Sequence, residues 1–98
     1  MIRIIYNWKV ESKNLESFIK VWKKTTTEIH KTVKGARGSF MLQNAKEPTK
    51  IKTIARWDSL DDWKKFWHDN NHNQMQSMHD LGERTSVEQF KEIDDFTK

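Results

Sequence analysis

The sequence has no cysteine, one proline and three glycines in 98 residues. Without cysteine, a disulfide scaffold, a thiolate metal site and a cysteine nucleophile are excluded. It also lacks the run of about 18 apolar residues that a membrane-spanning helix needs, and its N-terminus lacks the apolar stretch and cleavage site of a signal peptide. We therefore expect a cytoplasmic protein with a single domain over residues 1–98, small enough to favour pairing with a second copy.

Acidic residues are scarce in the first half of the chain, and basic residues are scarce in the second half. Residues 1–57 hold 13 Lys and Arg against 4 Asp and Glu, and residues 58–98 hold 5 against 10. A basic half suggests nucleic acid or an acidic ligand. The other interpretation is that a lysine-rich first helix packs beside an aspartate-rich second helix, and we favour it.

Hydrophobic periodicity predicts six main elements. Apolar residues alternate from Ile2 to Val10, which is typical of a strand, and recur at helical spacing from Leu15 to Val33. In order, we predict a strand over 2–10, a helix ending at Gly35, strands over about 38–44 and 50–57 joined as a hairpin, a second helix capped by Ser59, and a weak strand over about 84–93. The second helix meets helix-poor residues at 68–73, resumes near Met75 and ends at Gly82.

This β-α-β-β-α-β order predicts an α+β ferredoxin-like sandwich, an antiparallel sheet with two helices on one face. The first strand has Tyr6 and Trp8 on one face and Ile5 on the other. Apolar residues on both faces indicate that the second face is also covered, as when two sheets dimerise face to face. RNA-recognition motifs share the order, but KIKTIARW on the third strand lacks their aromatic octet, so nucleic-acid binding is not expected.

Several segments together resemble the antibiotic-biosynthesis-monooxygenase family over nearly the whole chain: the first strand, the helix LESFIKVWKK, the turn into SFMLQN, and the third strand leading into ARWDSLDDWKKF. The resemblance implies a homodimeric α/β barrel. It also implies an enzyme, a monooxygenase that oxidises a small aromatic or electron-rich molecule with O2 in a pocket between sheet and helices. The alternatives are a haem-binding or haem-degrading protein and a non-catalytic dimer that binds a small ligand.

The haem-degrading branch of the family uses an Asn on the first strand, a Trp on the second helix and a later His that binds iron. Asn7 matches the first of these. Aligned through Trp57, the Trp position falls on Phe66 and the His position near Gln76. Because of this departure no cofactor is firmly implied, and haem is kept only as an alternative ligand.

Candidate site residues come from the resemblance and from the five tryptophans, whose rings suit a flat ligand. The predicted catalytic residues are Asn7, Trp67 and His79, and the predicted ligand-binding residues are Trp8, Trp57, Trp63, Phe66, His68 and His72. Core packing is the alternative for the rings, and a solvated helix end is the alternative for the histidines. No metal site is expected, because His68-Asp69-x-x-His72 has Asp where the zinc protease pattern needs Glu.

Overall fold

Alternating apolar side chains build the first strand, β1 (Ile2–Lys9), in the computed structural model, which describes residues 1–69 and 75–97. Ile4, Tyr6 and Trp8 are buried, and Val10 beyond the strand is buried with them. The residues between them point to the opposite face, because successive strand side chains alternate. The predicted first strand is confirmed.

The first long helix, α1 (Leu15–Thr32), follows one turn of 3-10 helix at Ser12–Asn14. The turn after it contains Gly35 with φ of +85°. A Cβ at this glycine would lie 2.7 Å from Cβ of Asp62. Glycine therefore serves twice here, because it adopts the left-handed backbone and leaves room for the first turn of the second helix.

A hairpin follows, made of β2 (Ala36–Gln43) and β3 (Lys50–Trp57). Its turn is held by the side-chain oxygen of Asn44, which accepts hydrogen bonds from the backbone N–H groups of Lys46 and Glu47. The predicted bounds of the third strand are confirmed. β2 begins two residues before the predicted start, because Ala36 pairs with Trp57 across the hairpin.

The second half of the chain forms α2 (Leu60–His68), α3 (Gln76–His79) and β4 (Glu83–Lys91). The predicted cap of α2 is confirmed, since Oγ of Ser59 accepts a hydrogen bond of 3.1 Å from the backbone N–H of Asp62. Helix resumes just after Met75, close to the predicted place. Residues 70–73 of the helix-poor stretch lie outside the described residues.

The four strands form one antiparallel sheet in the order β2-β3-β1-β4. This order, with both helical crossovers on one face, is the predicted ferredoxin-like α+β fold. The other face, called the open face here, presents Ile5 of β1, Ile54 of β3 and the exposed rings of Phe40 and Phe90. None of the described helices is long and apolar enough to cross a membrane.

The sequence predicted that a lysine-rich first helix packs beside an aspartate-rich second helix, but the described residues, 1–69 and 75–97, show no ion pair between the two. α1 packs mainly against β2 and α3, and no ion pair between described residues joins a lysine of α1 to an aspartate of α2. The residue before the Ser59 cap of α2 is instead paired from β2, where Arg37 donates 2.8 and 3.1 Å hydrogen bonds to Asp58. The lysines of α1 are exposed to solvent.

Candidate functional site

A largely apolar cavity lies between α1, α2, α3 and the covered face of the sheet. We call it the helix-side cavity. Trp22 of α1, Trp57 of β3 and Phe66 of α2 form apolar parts of its wall, and Met75 and Met78 lie on the α3 side. Its volume is about 50 Å³. Pockets that enclose small organic ligands are usually about 300–1,000 Å³, so a ring enters this one only if wall side chains move. The unbranched methionine side chains are suited to that movement.

Three hydrogen bonds from tryptophan indoles fix the polar part of this wall. Nε1 of Trp22 donates to Oγ of Ser39 at 2.9 Å, and Nε1 of Trp8 donates to Oγ1 of Thr53 at 3.1 Å. Nε1 of Trp63 donates to the phenolic oxygen of Tyr6 at 3.0 Å. The accepting residues Tyr6, Ser39 and Thr53 all line the helix-side cavity. Each of these hydroxyls is thus held in place by a large ring.

The hydrogen-bonding groups of the wall are mainly hydroxyls, since Thr25 and Thr26 of α1 line the cavity too. No carboxylate or imidazole is found among the described lining residues. Arg56 also borders the cavity, but its side chain points to the open face beside that of Arg3, and Nε of each lies within 4 Å of Oε2 of Glu92. The cavity therefore combines apolar rings with hydroxyl groups. Its described wall contains no carboxylate or imidazole that could act as a base.

Burial raises the pKa of Tyr6 to about 12. The ring is 5% exposed, and loss of hydration disfavours the phenolate more than the hydrogen bond from Trp63 and the charge of Arg84 favour it. Tyr6 consequently carries its proton at neutral pH. Its hydroxyl can accept from Trp63 and donate to another group at the same time.

A second group of rings lies beside the cavity, at the β4 side. Trp67 stacks on Trp63 at a centroid distance of 5.3 Å and on Tyr6 at 6.3 Å. The guanidinium carbon of Arg84 lies 4.7 Å from the centroid of Trp67, within the range of a cation–π contact. Burial lowers the pKa of Arg84. No pattern in the sequence pointed to this arginine, because it stands in the weakly patterned last strand.

The predicted catalytic residues do not form one cluster. His79 lies on the covered side, with its ring centroid 5.3 Å from that of Trp8. Asn7 is on the open face, where its amide nitrogen donates to Oγ of Ser86 at 2.7 Å and to Oε1 of Glu88 at 2.8 Å. The sheet separates Asn7 from Trp67 and His79, because odd-numbered residues of β1 point away from the helices.

The predicted ligand-binding residues divide in the same way. Trp57 and Phe66 line the helix-side cavity, with ring centroids 5.4 Å apart. Trp8 and Trp63 reach its hydroxyls through their indole N–H groups. His68 is exposed at the end of α2, and His72 lies outside the described residues. Sequence reasoning did not select Tyr6, Ser39 or Thr53 as site residues, and it assigned Trp22 to packing.

Haem does not fit the helix-side cavity. A tetrapyrrole is far larger than a space of about 50 Å³, and no histidine is among the described residues that line it. Within residues 1–69 and 75–97, no group of three or more His, Cys, Asp or Glu side chains is arranged to hold a metal ion. We therefore assign haem no part in the chemistry of this cavity.

Comparison with known families decides the affiliation of the chain. Residues 1–79 match the family described as "Antibiotic biosynthesis monooxygenase". The chain belongs to that family. No curated protein matches it at a significant level. The antibiotic biosynthesis monooxygenase family therefore supplies the framework for its function, while substrate and site have to be argued from the residues of this chain.

Solved structures share the fold of this antibiotic biosynthesis monooxygenase family member at low sequence identity. SnoaB from Streptomyces nogalater, a cofactor-independent oxygenase, has a TM-score of 0.77 and 13% identity, with 99% of this chain and 97% of SnoaB covered. A conserved protein of unknown function from Bacteroides thetaiotaomicron has a TM-score of 0.73 and 17% identity, with 91% of this chain and 94% of that protein covered. A conserved protein from Methanosarcina mazei Go1 has a TM-score of 0.72 and 12% identity, with 92% of this chain and 90% of that protein covered. At these identities the likeness shows the fold alone.

Tyr6 is the only tyrosine of the chain, so its ionisation can be followed directly by tyrosinate absorbance. We expect a midpoint near pH 12 in the folded protein and near the ordinary value of about 10 in denaturant. Because the pKa of Tyr6 is higher in the folded protein, the protonated phenol makes its full contribution to the free energy of unfolding below pH 10. That contribution is lost as the pH rises towards 12. The free energy of unfolding should fall over that interval by about 2–3 kcal/mol.

Tyr6→Phe is the control for this titration. It removes the tyrosinate signal and should flatten the dependence of stability on pH between pH 10 and 12, while lysine ionisation is the same in both proteins. A folded midpoint at the denatured value would show that the phenol is not buried as described.

Proposed function

We propose that this protein is a monooxygenase that oxidises a small electron-rich aromatic molecule with O2 in the helix-side cavity. The observation that carries the proposal is the composition of the wall, in which Trp22, Trp57 and Phe66 surround hydroxyl donors. Aromatic walls hold a flat ring, and a few fixed polar groups orient it. SnoaB, which shares the fold, is described as a cofactor-independent oxygenase, and we extend that chemistry to this chain as part of the proposal.

The proposed reaction needs no reductant other than the substrate. A phenol and O2 give a quinone and one water, with one oxygen atom entering the ring carbon opposite the phenolic oxygen. The second oxygen atom leaves as water with the ring hydrogen and the phenolic hydrogen, so the substrate supplies all four electrons. Ionisation of the phenol makes the ring a better electron donor, and hydrogen-bond donors that stabilise the phenolate favour that ionisation.

The predicted catalytic residues have different places in this proposal. Trp67 shapes the β4 side of the site through its stacking on Tyr6. His79, which packs on Trp8, is not among the described residues that line the cavity, so the proposed reaction releases the phenolic proton to water. Asn7 has no part in the helix-side cavity, because its amide bonds Ser86 and Glu88 on the open face. Next to a bulge between β1 and β4, these bonds hold the register of the two strands.

Oxygen consumption with a panel of phenols and naphthols tests the proposed function. We expect the protein to consume O2 and to release the corresponding quinone. Ala55→Leu places a larger apolar side chain in the cavity wall, where it takes up space that the substrate needs. We expect turnover to fall by about tenfold or more, which corresponds to a free-energy change of about 1.4 kcal/mol. Ala55 is half-buried, so the larger side chain is tolerable for folding, which urea unfolding checks.

Thr27→Leu is the matched control, because Thr27 is exposed on α1 and outside the cavity. It should keep full turnover. Full turnover in a folded Ala55→Leu protein would place the reaction elsewhere. Saturable binding of the panel without oxygen consumption would instead make the protein a non-catalytic ligand-binding member of the family.

We also propose that two copies pair through the open face. Phe40, Leu42 and Phe90 are 44%, 48% and 49% exposed there, around the half-buried Ile5 and Ile54. An apolar sheet face without a covering layer is typical of an interface. A second copy of the same face is self-complementary when related by a two-fold axis. The pairing would bury these side chains and complete the barrel that the family resemblance implies.

Light scattering at micromolar concentration tests the pairing. We expect the mass of a dimer for the unchanged protein and a monomer for Phe40→Asp, because burying a carboxylate between two apolar faces is costly even beside the guanidinium of Arg3. Thr27→Asp introduces the same group on the exposed side of α1 and should leave the dimer intact. A monomeric wild-type protein would contradict the proposed interface.

A further inference from the structure

A second concave surface lies on the open face of the sheet, opposite the helix-side cavity. Its volume is about 700 Å³, within the range of about 300–1,000 Å³ that is usual for small-molecule sites. Three exposed lysines line it, Lys9 of β1 with Lys50 and Lys52 of β3. We call this surface the lysine groove. Its lining, as far as the described residues go, contains no carboxylate to balance these charges.

The register of the sheet brings the three lysines together. Lys9 lies directly opposite Lys50 where β1 pairs with β3. Lys50 and Lys52 are two residues apart on one strand and therefore point to the same face. Like charges directly opposite each other on neighbouring strands destabilise a sheet. The stability of the fold therefore does not explain why these lysines are grouped.

The carboxylates around the lysine groove leave part of this charge uncompensated. Glu47 forms an ion pair of 2.6 Å with Lys50. Glu83 of β4 is in register with Lys9, but no ion pair between described residues joins these two side chains or includes Lys52. The ammonium groups of Lys9 and Lys52 are therefore free of ion pairs with described carboxylates and can bind an anion.

The opposite end of the open face shows how the chain compensates a similar cation pair. Arg3 lies directly opposite Arg56 where β1 pairs with β3. Oε2 of Glu92 lies 3.3 Å from Nε of Arg3 and 3.9 Å from Nε of Arg56, so one carboxylate serves both guanidinium groups. The lysine groove has the same cross-strand arrangement of cations without a shared carboxylate. An anion from solution can take that place.

The other groups of the lysine groove suit a small molecule rich in oxygen atoms. An ammonium group has three hydrogens to donate and accepts none, so it pairs with carboxylate and phosphate oxygens. The hydroxyl of Ser86 lines the groove as well. Leu42, which is 48% exposed, adds an apolar wall. A ligand with a single negative charge would leave one of the two unpaired lysines uncompensated.

We propose that the lysine groove binds a small anion with at least two negative charges on phosphate or carboxylate oxygens, and that Lys9 and Lys52 donate to these oxygens. The inference goes beyond the proposed function, because the groove and the helix-side cavity lie on opposite faces of the sheet. All of its described lining residues belong to one copy of the chain. Leu42 is the residue that the groove shares with the surface proposed for pairing.

Titration calorimetry with inorganic pyrophosphate and with citrate, in a buffer of low salt, tests the inference. We expect saturable binding at one site per chain, and at least about tenfold weaker binding of acetate, which offers one charge and fewer hydrogen bonds. Added sodium chloride should weaken the binding, because salt screens exposed charges. Tighter binding of pyrophosphate would assign the groove to phosphate compounds, and tighter binding of citrate would assign it to polycarboxylates.

Lys9→Gln and Lys52→Gln each remove one charge from the groove. We expect either change to weaken the binding of the preferred anion by about tenfold, as loss of a hydrogen bond between charged groups would give. Lys24→Gln is the matched control, because Lys24 is exposed on α1 and outside the groove. It removes the same charge and should change the affinity by less than about twofold. Without the anion, Lys52→Gln should unfold at the same or a higher urea concentration, because repulsion between the lysines is relieved.

Two results would overturn the inference. One is the absence of saturable binding of both pyrophosphate and citrate. The other is an equal loss of affinity in Lys24→Gln and Lys52→Gln, which would show that anions are attracted by the overall positive charge and not by the groove. Neither result would affect the proposed oxidation in the helix-side cavity, because the oxygen-consumption test does not involve these lysines.

Discussion

The arrangement of this fold depends on one constraint, that a buried indole N–H has to donate a hydrogen bond. Leaving such a group unpaired costs about 1–3 kcal/mol. Trp63 of α2 meets it through Tyr6 on β1, and Trp22 of α1 meets it through Ser39 on β2. These two bonds join each long helix to a particular strand position. A helix that shifted by one turn would break its bond, so the indoles fix where the helices lie on the sheet.

The same constraint creates the candidate site. Trp22, held by its N–H group, borders the helix-side cavity, and the hydroxyls that accept from Trp8 and Trp63 line it as well. The hydroxyls that satisfy the indoles form the polar part of its wall. The side chains that position the helices therefore also form the polar part of the cavity wall, and loss of a hydroxyl weakens the helix position. Burial of Tyr6, which raises its pKa to about 12, keeps this donor protonated over the range in which proteins work.

The sequence was informative where the physical cause is local. Alternation in β1, the Ser59 cap of α2 and the bounds of β3 follow from neighbouring residues, and the structure confirms them. Contacts between residues that are far apart in the sequence were harder to predict. Ser39 and Thr53 look like ordinary strand residues, and their importance depends on which indole lies above them. Arg84 could not be predicted for the same reason, since its contact with Trp67 joins β4 to α2.

Asn7 shows how a resemblance and a local rule can point in different directions. The family resemblance suggested a catalytic asparagine, whereas strand alternation places odd-numbered residues of β1 opposite the apolar set Ile4, Tyr6 and Trp8. The structure follows the alternation. Charge patterning was also insufficient, because opposite charges on two helices pair only when the helices lie side by side, and α1 packs mainly against β2 and α3.

Hydrogen exchange of the tryptophan indole protons, followed by NMR, tests the central claim most directly. The account predicts slow exchange for the indole protons of Trp8 and Trp63, which are buried, and measurable protection for that of Trp22. Removing one acceptor, with Thr53→Val, Tyr6→Phe or Ser39→Ala, should shift and expose only the indole proton bonded to it. Indole protons of Trp8 and Trp63 that exchange as fast as those of free tryptophan, or that do not respond to loss of their acceptors, would contradict it.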